Sequence, residues 1–216
     1  DRDAVMNLGV LLDGEGKREA AIALYEKFLV RHAFDSGVLN NLSVLLRKKG
    51  DYEKAVAAVR RLLMRDKSNL DAYKNLALAH LAQKKYKLAQ TILENALVIA
   101  GTKKISDPDI YVNLGMVFLA KGDNGKAMAA FKKAVAANPN HAAANYNIGS
   151  LALAHRDYGL AASSFAAAER TWPEDPEVIS ALGYAYQGQQ KFADAAKRLE
   201  QAFDLRAKKA TSAEFA

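Results

Sequence analysis

Asparagine recurs at Asn7, Asn41, Asn75, Asn113 and Asn147, at intervals of 34, 34, 38 and 34 residues. Each is followed by Leu or Ile and then by a small residue, as in Asn113-Leu114-Gly115. A fixed period of this size restricts a chain to stacked, similar units that bury their apolar faces against one another. Six units follow, at residues 2–35, 36–69, 70–107, 108–141, 142–175 and 176–209. The third unit carries four extra residues, and the sixth has Ala181 at the Asn position.

Other columns keep the same phase. Leu8, Leu42, Leu76, Leu114, Ile148 and Leu182 follow the Asn position. Next comes Gly9, Ser43, Ala77, Gly115, Gly149 or Gly183. Alanine fills a later column throughout, at Ala21, Ala55, Ala89, Ala127, Ala161 and Ala195. A larger apolar residue stands four beyond it: Tyr25, Val59, Leu93, Phe131, Phe165 and Leu199.

The spacing predicts two helices per unit. In the fourth unit, Tyr111, Leu114, Gly115 and Phe118 share one helical face. Lys121-Gly122-Asp123 breaks that helix, Gly as its left-handed end and Asp as the cap of the next. Gly50-Asp51 repeats the device. The second helix carries Ala127, Phe131 and Ala134, and Pro139 stops it. Small residues at Gly115 and Ala127 let the helices approach closely. Tyr52, Tyr86, Tyr158 and Phe192 open second helices and are expected to plug the joints. The chain has only 4 Pro and 13 Gly, which agrees with an all-α fold.

Leu114, Gly115, Phe118, Ala127, Phe131 and Pro139 carry a Leu-Gly, aromatic, Ala, aromatic, Pro signature. On these residues the chain resembles the tetratricopeptide-repeat (TPR) family, across residues 2–209. The resemblance implies a right-handed α-solenoid of six helix-turn-helix repeats in a single domain, whose first helices line a concave groove. Residues 210–216 are expected to form a C-terminal tail. Pro is missing from the first three units, where Ala33, Lys67 and Gly101 stand.

No catalytic constellation rises above background, so no enzyme activity is expected. Gly14-Glu15-Gly16-Lys17 lacks the spacing and the Ser/Thr of a phosphate loop and reads as a helix break. His32, His80, His141 and His155 have no second ligand at metal-binding spacing, and His80 is expected to be packed. With no Cys there is no thiolate site. No metal or cofactor is expected. No run of about 18 apolar residues is present to span a membrane.

If the Asn column faces the groove, its neighbours three residues on and one residue back share that face. The expected groove holds Asn7, Asn41, Asn75, Asn113 and Asn147 as an amide ladder, with Lys74, Met116, Tyr146, Tyr184 and Arg47 beside it. Ser150, Leu153, Ser180 and Ala181 belong to the same surface. An Asn amide both donates and accepts, so it can pair with the backbone of an extended peptide. Repeat ancestry is the competing explanation of the column. Relatives that clamp a C-terminal carboxylate use Lys, Arg and Asn in adjacent units. Here Lys74 fits only loosely, and Val112 and Ala181 stand where charge is wanted.

The net charge of +7 is concentrated in the second unit, at +5. Arg60, Arg61 and Arg65 lie on its second helix and read as a solvated convex face. Basic residues interleaved with exposed aromatics are not evident, so no nucleic-acid partner is expected. Lys103 and Lys104 fall in the insertion, which is expected to extend a loop.

The expected function is a non-enzymatic scaffold that binds a protein or extended peptide. The Ala-rich units also resemble the TPR lipoproteins of bacterial pilus-assembly and gliding-motility machines. That resemblance implies a role in an envelope or motility complex, a lipid anchor upstream of Asp1 as the only membrane link, and a periplasmic or outer-membrane site, with the cytoplasm as the alternative. A second reading is a substrate-recruiting arm of a larger enzyme, such as a glycosyltransferase. A third is assembly by stacking of units between copies.

Overall fold

The computed structural model describes residues 1–214, with side chains to residue 208. Among the described residues the secondary structure is entirely helical. The helices are α1 (Arg2–Gly14), α2 (Arg18–Arg31), α3 (Ser36–Lys49), α4 (Tyr52–Arg65), α5 (Leu70–Ala82) and α6 (Tyr86–Thr102). They continue as α7 (Pro108–Ala120), α8 (Asn124–Ala137), α9 (Ala142–Ala154), α10 (Tyr158–Glu169), α11 (Pro176–Gly188) and α12 (Phe192–Glu214). Odd-numbered helices are the first and even-numbered the second of each helix-turn-helix repeat. They gather into two compact units, the first of residues 1–106 and the second beginning at residue 107.

Every first helix starts at a side-chain cap. Asp1, Asp35, Asn69, Asp107, His141 and Asp175 precede α1, α3, α5, α7, α9 and α11, and each accepts a hydrogen bond from an amide of the first turn. A cap satisfies one of the amides left unpaired at a helix start. His141 does so with Nδ1, 3.3 Å from the Ala144 amide, while its Nε2 lies 2.9 Å from Asp109. With Nδ1 facing the amide, Nε2 is the nitrogen that faces the carboxylate.

The turns inside the repeats share one left-handed residue. Gly16, Lys84, Arg156, Gln190, Gly50 and Gly122 occupy equivalent positions, all with φ between 59° and 98°. Only three are glycine, so the turn is imposed by the helices it joins. Asp123 caps α8 as expected, by accepting from the Lys126 amide at 3.0 Å. Asp51 does not cap α4 with its side chain.

Within the repeats, the small column meets the large one. A Cβ added at Gly9 would stand 2.2 Å from the Tyr25 ring, at Gly115 2.4 Å from Phe131, and at Gly149 2.7 Å from Phe165. Where the second-helix residue is Val59 or Leu93, the first helix has Ser43 or Ala77 instead. The core continues into the following repeat. Phe131 and Ala134 of α8 cluster with Ala144, Ile148 and Leu151 of α9. Ala162 and Phe165 of α10 cluster with Ala181, Leu182 and Ala185 of α11.

Three expectations need correction. Much of the insertion is helix rather than loop, because α6 has 17 residues against 14 in α4 and α8. Lys103 at its end donates to the Ser68 hydroxyl. Second, α12 runs through Glu214, past the expected boundary at 209, since no Gly or Pro interrupts residues 206–214. Residues 215 and 216 of the expected tail lie outside the described residues. Third, Phe192 is exposed among the described residues rather than packed in a joint. Its counterpart Tyr158 reaches the next repeat, where a Cβ on Gly188 would stand 2.2 Å from its ring. The second-unit arginines are also less free than expected. Arg61 donates to the Ala33 carbonyl, and the Arg65 guanidinium lies 6.0 Å from the Phe34 ring.

Candidate peptide-binding groove

In residues 1–106 the Asn column is largely engaged within the protein. Asn7 is exposed. Asn41 is half-buried and donates to the Tyr25 hydroxyl at 3.5 Å. Burial pushes the Tyr25 phenol up, so it stays protonated and donates to the Met6 carbonyl at 3.1 Å. Asn75 donates across the repeat joint to Asn40 Oδ1 at 3.3 Å. Lys74 is drawn to Asp71 at 2.9 Å. Arg47 is half-buried, and burial pulls its guanidinium below its ordinary value.

In residues 107–216 the groove takes a different form. Asn113 is buried, and Asn147 turns to its own helix, donating to the Ala143 carbonyl at 2.7 Å. The amides therefore do not form one exposed ladder. The partners differ from repeat to repeat: Tyr25 for Asn41, Asn40 for Asn75 and the Ala143 carbonyl for Asn147.

Aromatic residues take over here. A recess of about 370 Å³ opens on α9 and α11, lined by Tyr146, Ser150, Leu153, Phe165, Ala181 and Tyr184. Tyr146 leans on Phe165, with ring centroids 5.6 Å apart and planes at 59°. Tyr184 and Met116 are exposed. The hydroxyls nearby are already satisfied by their own helices. Ser150 donates to the Tyr146 carbonyl at 2.9 Å, and Ser180 to the Pro176 carbonyl at 2.7 Å. Arg206 of α12 reaches back to Ser180 Oγ at 3.1 Å and to Glu177 at 2.8 Å.

The structure thus brings Tyr146 and Tyr184 together and does not bring Asn147 to the recess. Sequence reasoning missed Phe165 as the floor of the recess, because its column reads as core. It also missed Arg206, whose link to Glu177 and Ser180 spans more than 25 residues. An apolar recess with aromatic walls and a polar rim can bury a large side chain of a bound segment. His80 is buried, as expected of a packed residue, and burial lowers its imidazole below the usual value. Among the described residues no group of three or more His, Cys, Asp or Glu could hold a metal ion. Nor is any described helix long and apolar enough to cross a membrane.

Repeated helix hairpins with an apolar groove define a helical-repeat binding scaffold, a class whose folds are typically non-catalytic. Models of the tetratricopeptide repeat match residues 36–69, 68–140 and 112–176, and the chain belongs to this family. A curated relative, cellulose synthase operon protein C of Pseudomonas fluorescens (strain SBW25), is 33% identical over 92 residues, 43% of this chain. The chain spans only 7% of that protein's length. Among solved structures, Pseudomonas aeruginosa PilF aligns with a TM-score of 0.68 at 20% identity, covering 91% of this chain and 88% of PilF. MamA aligns at 0.60 with 22% identity, covering 81% of this chain and 93% of MamA. YrrB, described as a TPR protein with an unusual peptide-binding site, aligns at 0.55 with 23% identity, covering 85% of this chain and 92% of its own. At these identities the structural likeness shows the fold alone.

Proposed function

We propose that this chain is a non-enzymatic scaffold that holds an extended segment of a partner protein along its first helices. The observation that carries the reading is the aromatic recess of Tyr146, Phe165 and Tyr184. Tyr and Phe walls anchor a large apolar side chain, and such anchors dominate binding energy in interfaces. The rim amides and hydroxyls add orientation more than affinity. The proposed setting is the assembly of a bacterial envelope or motility complex. In its support stands the 33% identity with a protein named for a cellulose synthase operon. Similarity to a small part of a long protein also suits a recruiting arm within a larger polypeptide.

Photo-crosslinking tests the groove. A benzoylphenylalanine placed at Met116, on the groove side of α7, should trap the partner. The same probe at Ala129, on the exposed side of α8, should not. Equal trapping at both positions contradicts the reading.

A further inference from the structure

A recess of about 360 Å³ opens between α2 and α4, the second helices of neighbouring repeats, with residues of α3 at its base. Leu29, Leu42 and Leu46 line that base and are 3–5% exposed. Ala57 and Ala58 form the α4 wall, and Val30 stands at the α2 lip, 81% exposed. Lys54, Arg61 and Glu26 complete the rim. Both walls belong to adjacent repeats inside the chain, so the opening is an interior joint and not an end.

The same joint is filled in other repeats. Ile92 of α6 takes the position of Ala58 and is 8% exposed. In α10 the position of Lys54 is held by Leu160, which packs on the core. In α12 Arg198 stands at the position of Ala58, and its 2.8 Å pair with Glu169 of α10 spans the joint. Against these, α4 places the small side chains of Ala57 and Ala58, which leave the space open.

Charge decides what can enter. The rim carries Lys54 and Arg61 against the carboxylate of Glu26. Arg65 lies one turn beyond Arg61 on the same helical face, 6.0 Å from the Phe34 ring. The bond from Arg61 to the Ala33 carbonyl fixes the guanidinium at the rim and leaves other N–H donors for a ligand. A guanidinium held in this way takes a carboxylate through charge-assisted hydrogen bonds, with little side-chain ordering left to do. The repeat that supplies α4 has a net charge of +5. A concave apolar opening suits a protruding side chain, whereas a flat bilayer surface does not enter it.

We propose that the α2–α4 recess is a second docking site, for an acidic protein segment. That segment seats one large apolar side chain on Leu29, Leu42 and Leu46 and sets carboxylates against Lys54, Arg61 and Arg65. The site does not depend on the aromatic recess of Tyr146 and Tyr184.

Fluorescence anisotropy on the full chain tests it. The probe is a labelled peptide with Asp and Glu on both sides of a central Phe. It should bind at least about tenfold more tightly than the same peptide with Ala at the centre, or with Lys in place of the acids. Added salt should weaken it. Ala57→Trp fills the opening, and Lys54→Glu combined with Arg65→Glu reverses the rim. Each variant should bind the probe at least about tenfold more weakly. These positions are exposed, so thermal melts should match the wild type. No binding of the Phe peptide by the wild type overturns the proposal. So does equal binding of the Ala-centred peptide, or wild-type affinity in either variant. Phosphatidylglycerol vesicles are the other arm. Vesicle binding that both variants lose, without binding of the peptide, would assign the surface to a membrane and overturn the proposal as well.

Discussion

Gly115 of α7 lies directly under the Phe131 ring of α8, so close that an added Cβ would stand 2.4 Å from the nearest ring carbon. Phe131 is fully buried and has nowhere to move. The same relation, Gly against an aromatic, holds at Gly9 with Tyr25 and Gly149 with Phe165. It answers why a helix-weakening residue sits in the middle of three first helices.

Gly115→Ala should therefore destabilise. Better helix propensity returns about 1 kcal/mol, while overpacking costs about 1–3 kcal/mol, and we expect a net loss in a denaturant titration. Gly101→Ala is the control, because a Cβ there meets nothing within 4 Å. It should stabilise or leave the midpoint unchanged. An equal gain at both sites would contradict the packing.

Arg156 takes φ of 60° in the turn before α10, at the position that Gly16, Gly50 and Gly122 fill in other repeats. Side chains disfavour this region, and glycine does not. Arg156→Gly should raise stability by about 0.5–1 kcal/mol, the relief of strain less the added chain entropy. A lower melting temperature would show that the Arg156 side chain contributes more than its backbone costs.

Two residues of one sequence column should behave differently. Asn75 bonds Asn40 across a repeat joint, whereas Asn147 bonds a carbonyl of its own helix. Asn75→Ala should cost about 0.5–1.5 kcal/mol. Asn147→Ala should cost close to nothing, since Ala favours the helix. A double-mutant cycle of Asn40 and Asn75 measures the coupling, and zero coupling would remove the bond from the account.

Much of this arrangement was legible in the sequence. The period, the paired helices and the small residues at Gly115 and Ala127 follow from residue size at fixed spacing, whereas Phe131 as the ring over Gly115 emerged only in the structure. The cap column was also open to reading, because Asp1, Asp35, Asn69, Asp107 and Asp175 are good cap formers at one phase. The left-handed turns at Lys84, Arg156 and Gln190 were not, since these residue types carry no such signal. The Asn column misled for a related reason. Asn fills five of the six positions, but its bonding partner differs, being Tyr25 for Asn41, Asn40 for Asn75 and a local carbonyl for Asn147. The aromatic recess was half visible. Tyr146 and Tyr184 stood on the expected face, while Phe165 belonged to a column that elsewhere is plain core.

Acid should loosen the first repeats through Asp13. Its carboxylate accepts from Lys48 at 2.7 Å and from Arg18 at 2.8 Å. The Lys48 bond is the main cause of a pKa held below the usual carboxylate value, opposed by burial. A carboxylate depressed in the folded state adds stability above its unfolded pKa, about 3.9, and loses it as pH falls through the folded value. Melting temperature should therefore drop as pH falls below about 4. Asp13→Asn should lower stability at pH 7 and flatten that acid slope. An unchanged slope would assign the acid sensitivity to other carboxylates, such as Asp66 and Asp123, which are also held low.

The most direct test of the binding account is calorimetric titration of a display-selected peptide against the wild type, Tyr146→Ala and Tyr184→Ala. The peptide is selected on the wild-type chain, so no partner need be known beforehand. The account predicts that Tyr184→Ala, whose ring is exposed at the recess, weakens binding at least about tenfold, roughly 1.4 kcal/mol, with an unchanged thermal melt. Tyr146→Ala should weaken it as much or more. Affinities of both variants within about twofold of the wild type, a change of roughly 0.4 kcal/mol, would contradict the recess as the place where this scaffold holds its partner.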